Sequence, residues 1–349
     1  MLEWVHKPVK PIAMAAYQHA LDQQLRLAKP GSLGVLEEIV VRLCGMQNSN
    51  RPHLNRIQIS IFAADHGIAA EEAVGFSQAA TLAMLRDIAS GGAAISVLAK
   101  YLGADLEMVD VGVCHNIVGV PGVVRARVAQ GTANFRYGPA MTPAQLRAAL
   151  LAGQRSVTRA VERGMRLFIA GDVGSANAMS ATALACGLLN RSAREVESFG
   201  GDIDRASTVY KAAVVQCALD LHLSASNSHS PLDLLQSLGG FEIAAITGAY
   251  IAAAQQGLPV LVDGFVSSVA ALLASRIHAG SSTWWFYGHT SAEPCHHHIL
   301  KVLNAKPLLN LGVGLGEGSG AAMAVPLLRQ ACMLHAKMAT VDRSVVAGY

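Results

Sequence analysis

Charge is scarce in this chain. Only 15% of its 349 residues are Asp, Glu, Lys or Arg, and the formal net charge is +3. Lys and Arg form no run. That composition argues against a nucleic acid or an anionic membrane as partner and points to a small molecule. Cysteine is sparse too. Cys44, Cys114, Cys186, Cys217, Cys295 and Cys332 are scattered with no CxxC pair, so they read as reduced thiols rather than a disulfide framework. The opening "MLEWVHKPVKP" lacks the apolar core of a secretory signal, and a cytoplasmic protein is expected. The longest apolar stretches, "IAAITGAYIAAA" and "VSSVAALLA", are interrupted by Gln255, Gln256, Gly257 and Asp263. They are too short to span a bilayer and read as buried helices. A low-complexity linker, an internal repeat and a metal-ligand spacing are all missing, so neither a metal nor a cofactor is expected.

What is present is hydrophobic: 52% of the residues, ample for a large core. Short apolar runs end repeatedly in glycine and polar residues: "RIQISIFAADHG", "LEMVDVGV", "RLFIAGDVG", "LPVLVDGF", "TWWFYGHTSAEP" and "PLLNLGVGLGEG". Each begins as a buried strand and ends in a turn. Between them, 143–164, 178–190, 206–223 and 241–256 have helical length and composition. Alternation of this kind predicts an α/β fold with a parallel, roughly six-stranded sheet flanked by helices. Ligands are then expected beyond the carboxyl ends of the strands, where the polar turns lie. Residues 11–45 and 321–340 look helical. They suggest a small helical domain built from 1–45 and 321–349 beside a large substrate-binding domain, 46–320.

One loop stands apart. In "LLNLGVGLGEGSGAAMAV", glycine occupies 312, 314, 316, 318 and 320 around a single acid, Glu317. Glycines clear side chains and expose backbone N–H groups to a sugar or an anion. A helix is expected to follow from Ser319 or Gly320. Glu317 then has two possible duties: an acid stabilising the helix start, or a general base in an uncrowded bend. Glycine spacing does not choose between them.

The motifs "KPGSLGVLE", "FAADHGIAAE", "GGAAISVLA", "GTANF", "GGFEIAAITGAY", "VDGFVSSVAAL", "SAEPCHHHIL" and "LGEGSGAAMAVPLLRQA" run in order along nearly the whole chain. In these the sequence resembles the nicotinate-nucleotide:dimethylbenzimidazole phosphoribosyltransferases of cobalamin lower-ligand assembly. The resemblance implies a six-stranded parallel sheet, a helical domain from both termini and a homodimer. It also implies transfer of phosphoribose from nicotinate mononucleotide to 5,6-dimethylbenzimidazole or a related aromatic base, giving an α-ribotide and nicotinate. Glu317 matches the family's general base. Lys211 and Asp172 are expected to orient the donor. Gly174, Ser175, Asn177, Gly200, Gly201, Gly314, Leu315, Gly316 and Gly318 are expected to line the crevice.

Three loops depart from the family pattern. "GDVGSANAM" has Asp172 for a glutamate, Ala176 for a glycine, and Ala178 and Met179 for two threonines. "FGGDIDRASTVYK" places Asp202 where the last glycine of a phosphate loop is usual, with Arg205 able to offset it. "VGFSQ" and Ala83 replace polar residues beside the expected base. These changes keep a second reading in play: a non-catalytic or re-specialised relative that binds a small aromatic or nucleotide ligand. Other residues have bland readings. Asp65 and His66 of "ADHG" read as a turn in which Asp65 bonds backbone N–H groups. "CHHH" at 295–298 reads as a surface helix start, Trp284 and Trp285 as core, and Glu293 as a helix cap. Asp263 ends a strand and is expected at a ribose hydroxyl, with Ser291 as another substrate contact.

Overall fold

A computed structural model describes residues 2–27, 29–71, 79–196, 205–223 and 230–340. Seven strands form one sheet: β1 Ile57–Ala64, β2 Asp105–Gly112, β3 Val123–Arg125, β4 Leu167–Val173, β5 Val260–Val262, β6 Trp285–His289 and β7 Pro307–Leu309. Their order is β3-β2-β1-β4-β5-β6-β7, and every pairing is parallel. The order reverses between β1 and β4, the switch point at which open parallel sheets bind ligands. Six strands match the six apolar runs. The seventh, β3, is not anticipated by the sequence because it is two half-buried residues and an exposed one at the sheet edge, paired only with β2. Such a strand carries neither an apolar run nor an alternation.

The helices are α1 Met14–Leu25, α2 Val35–Gln47, α3 Ala79–Ser90, α4 Ala94–Leu102, α5 Pro143–Glu162, α6 Asn177–Leu189 and α7 Ala193–Val196. After them come α8 Arg205–Leu223, α9 Pro231–Leu238, α10 Phe241–Gln256, α11 Phe265–Ile277, α12 His296–Val302 and α13 Ser319–Lys337. Helix α5 starts on a capping box, Thr142 with Gln145, and has Pro143 in its first turn. The apolar stretch 79–102 is long enough for a bilayer by length alone, but it is two helices parted at Gly91, whose φ is 87°.

Helix α10 is buried on every side from Phe241 to Ala254, as expected of a helix that is apolar all round. It crosses α5 at backbone contact. A Cβ on Gly153 would overlap the Ala245 carbonyl, and one on Gly248 would overlap that of Leu150. Trp284 and Trp285 are fully buried.

The two ends of the chain meet. Helix α2 packs on α1 and on α13. Gln24 Nε2 lies 2.6 Å from His335 Nδ1, Gln23 donates to the His335 carbonyl, and Leu27 bridges Thr340. Arg42 of α2 donates to the carbonyls of Thr283 and Trp285 and lies over the Phe286 ring. The terminal helices are thereby pinned to the β6 end of the sheet, while α13 also reaches β4.

Candidate active site

A cavity of about 290 Å³ opens at the carboxyl ends of the strands. Its wall comes from α3 (Thr81, Met84), the β4 turn (Asp172 to Met179), α8 (Lys211), the start of α11 (Gly264 to Val266), β6 and its turn (His289, Ser291, Glu293), and the glycine loop (Gly314, Leu315, Gly316). Stretches far apart in the sequence meet there.

The β4 turn is held from behind. Asp65, fully buried, accepts from the Cys114 N–H at 2.7 Å and from the Thr81 hydroxyl at 2.6 Å. Thr81 Oγ1 has then given its only proton, so it accepts from the Ser175 N–H at 3.1 Å. The "ADHG" acid is therefore structural, but it ties the turn after β2 to α3 rather than closing its own turn as expected. Next to Ser175, Ala176 sits in the left-handed region with φ 67° and serves as N-cap of α6. A Cβ on Gly174 would overlap the Ala64 carbonyl, so β1 and the β4 turn touch through backbone. Asn177 Nδ2 donates to Asp172 Oδ2 at 2.7 Å. Burial, with the carboxylates of Asp263, Glu242 and Glu317, drives the Asp172 pKa well above the usual range, and the Asn177 bond opposes this.

The glycine loop resolves the two duties of Glu317. Helix α13 does begin at Ser319, and an acid does satisfy its first N–H groups. That acid is Asp263, whose Oδ2 accepts from Gly318 at 3.1 Å and whose Oδ1 accepts from Ala321 at 2.7 Å. Asp263 is 1% exposed and lies behind the cavity wall, where it brackets the loop. Glu317 is left free of that task. It has φ 62°, it is buried, and its carboxylate takes no hydrogen bond among the described residues. Burial first, then Asp87 and Asp263, raises its pKa. Its backbone rests on Gly171, where any Cβ would overlap the Glu317 carbonyl group. Its side chain sits beside the wall rather than in it: Gly316 lines the cavity, and so does α3, the helix that carries Asp87. Gly318, with φ 79°, turns the chain into α13 and also lies behind the wall.

Lys211 is 3% exposed and reaches the wall from α8. Burial lowers its pKa and Glu293 raises it. Glu293 thus faces the cavity, rather than serving only as a cap for α12, whose N-cap is Cys295. The surface reading of "CHHH" fails for His296, which is fully buried. Its Nδ1 accepts from the Ser291 N–H at 2.8 Å, so Nε2 carries the ring proton and faces Ser268 Oγ at 2.9 Å. Burial pushes its pKa down to about 3. It fixes the Ser291 backbone as a neutral ring. The Oγ of Ser291 and the Nδ1 of His289 are buried without hydrogen-bond partners among the described residues.

Thr81, His289 and His296 are not singled out by the sequence as site residues. Their signal is the pairing of histidines across "GHTSAEPCH" and a hydroxyl in the first turn of α3, neither of which distinguishes core from site. His66 meets Ser180 Oγ at 2.9 Å and Glu242 Oε1 at 2.8 Å. All three are fully buried and none lines the cavity, so the Ser–His–Glu grouping is a core network, not a nucleophile. Gly200, Gly201 and Asp202 lie outside the described residues, as do 74–78, and the Arg205 side chain is likewise undescribed. Among the described residues, no three His, Cys, Asp or Glu side chains converge as metal ligands.

The chain is similar to proteins of known family along its whole length. The profile of a family described as Phosphoribosyltransferase matches residues 8–346. A nicotinate-nucleotide–dimethylbenzimidazole phosphoribosyltransferase of Pseudomonas fluorescens (strain SBW25) is 48% identical over 345 residues, covering 99% of this chain and 98% of that protein. One from Azotobacter vinelandii is 49% identical over 347 residues, with the same coverage. A crystal structure of the enzyme of that name from Thermus thermophilus superposes with a TM-score of 0.88 at 37% identity, covering 96% of this chain and 99% of that one. By sequence across both lengths and by fold, the chain belongs to the phosphoribosyltransferase family that includes the nicotinate-nucleotide–dimethylbenzimidazole enzymes.

Proposed function

We propose that the cavity binds nicotinate mononucleotide and that Glu317 is the base which activates 5,6-dimethylbenzimidazole, or a related aromatic base, against it. One ring nitrogen attacks the anomeric carbon of the ribose. The bond from that carbon to the pyridinium nitrogen breaks, and its electron pair returns to the pyridine ring, so nicotinate leaves without an acid. The second nitrogen loses its proton to the Glu317 carboxylate, and an α-ribotide forms. Lys211 meets an anionic end of the donor, and the β4 turn with Ser175 and Asn177 holds the sugar in line.

The observation that carries this reading is the division of labour between two acids. Asp263 occupies the helix N–H groups, which leaves a buried, unbonded carboxylate one residue from the cavity wall. A raised pKa makes it a stronger base for proton abstraction. Replacing Glu317 by Gln should lower kcat by about 10²- to 10⁴-fold while calorimetric titration with nicotinate mononucleotide changes little. Unaltered turnover would remove Glu317 from the mechanism.

The wall supports the second reading at one place. Ala176, Ala178 and Met179 bring no hydroxyl to the β4 turn, which favours a re-specialised donor or base. Binding of nicotinate mononucleotide without turnover on dimethylbenzimidazole, but with turnover on another aromatic base, would establish it. The reading extends to a cytoplasmic homodimer divided into 46–320 as substrate-binding body and 1–45 with 321–349 as helical domain. The family resemblance and the meeting of α1, α2 and α13 support it.

A further inference from the structure

The charges around the cavity do not suit an anionic ligand if every acid is ionised. Two carboxyl groups, Asp172 and Glu293, lie in the wall, and among the described residues one side chain there, Lys211, is cationic in its ordinary state. Glu293 acts on Lys211 electrostatically. Asp172 has no cationic partner among the described residues. It lies near the end of β4, is bonded by Asn177 from α6, and interacts electrostatically with Glu242 and Tyr250 from α10, Asp263 after β5 and Glu317 before α13. Lys211 from α8 and His289 from β6 share the wall with it. Of these, Asn177 alone donates to it, and only to Oδ2. Oδ1 has no hydrogen-bond partner among the described residues, yet it is not sealed from the cavity. A carboxyl group that is 7% exposed, ringed by three other acids and given one neutral donor, is more stable with a proton on its free oxygen.

We propose that Asp172 works as a neutral carboxylic acid whose Oδ1–H donates a hydrogen bond to an anionic oxygen of the bound nucleotide. This rests on the reading that the donor is nicotinate mononucleotide. The donor brings two anionic groups, a phosphate and a pyridine carboxylate, and either is met by the same O–H. The proton removes a like-charge repulsion and adds a donor at an acid of the wall that has no cation among the described residues. No proton transfer to the substrate is involved.

The test is the affinity of nicotinate mononucleotide as a function of pH above about 7, where its phosphate has already lost the second proton. In the wild type, affinity should fall with rising pH, by up to about tenfold per pH unit once Asp172 ionises. In D172N the neutral amide keeps a donor at that place, and the fall should vanish. A wild-type affinity that is flat with pH, or a slope that persists in D172N and so belongs to Lys211 or Glu317, overturns the proposal. Nicotinamide mononucleotide lacks the carboxylate and nicotinate riboside lacks the phosphate; the one that loses the pH slope identifies the group that Asp172 meets. An independent readout is the infrared carbonyl stretch of a protonated carboxyl group in the ligand-free protein at neutral pH. It should be present in the wild type and in E317Q and missing in D172N; its absence from the wild type overturns the proposal even if D172N folds poorly. If the nucleotide fails to bind at any pH while this band is present, the donor assignment falls and the protonated acid stands.

Discussion

At the scale of the residue, the site depends on which polar group each acid or ring has taken. Asp263 and Glu317 lie near each other and near the start of one helix, but only the first is bonded there. His296 shows the same logic in a neutral ring. Its Nδ1 must stay unprotonated to accept from Ser291, and burial holds its pKa at about 3. The unfolded chain takes that proton near pH 6.5. Since the folded value is the lower one, the contribution of His296 is intact above about 6.5 and is lost as pH falls toward 3. Urea melts across that window should show wild-type stability declining more steeply than that of His296→Gln. Equal slopes would mean that another group governs the acid limb.

At the scale of the element, backbone contacts without side chains between them set the geometry. Gly171 lets the Glu317 loop lie on β4, and Gly153 with Gly248 lets α5 lie on α10. Adding one methyl group at these places has different expected consequences. Gly171→Ala displaces the loop that carries the base. A shift of about 1 Å there should cost on the order of 10²-fold in kcat, with a smaller change in nucleotide affinity. Gly153→Ala forces apart two helices that do not line the cavity, and should cost stability by about 1–3 kcal/mol or more with a smaller loss of kcat than Gly171→Ala. Thermal melts and steady-state kinetics on both variants separate the two. A Gly171→Ala enzyme with normal kcat would show that the loop tolerates the shift.

At the scale of the whole molecule, the helices of the two termini close on one another and on the β6 end of the sheet. Through α13 they are continuous with the glycine loop, so the last helix belongs mechanically to the site as well as to the terminal cluster. Sedimentation equilibrium should return twice the mass of one chain. A single-chain mass at concentrations used for assay would remove the homodimer from the reading.

Much of this architecture is local, and local features are what a sequence displays. Buried strands are runs of apolar residues, and four of the long helices lie where length and alanine-rich composition put them, because each buries a continuous face. The glycine bend around Glu317 is equally plain, since only a loop that must clear space uses glycine at every second position. Sequence by itself therefore determined the parallel α/β scaffold and the acid worth suspecting. The tertiary structure decided what that acid is free to do. Asp263 stands more than fifty residues away from the N–H groups it accepts from, and β3 exists only because β2 offers an edge to it. His296 is a core ring only because α11 brings Ser268 to it. Contacts of that kind are choices among partners distant along the chain, and no window of sequence contains both members of the pair.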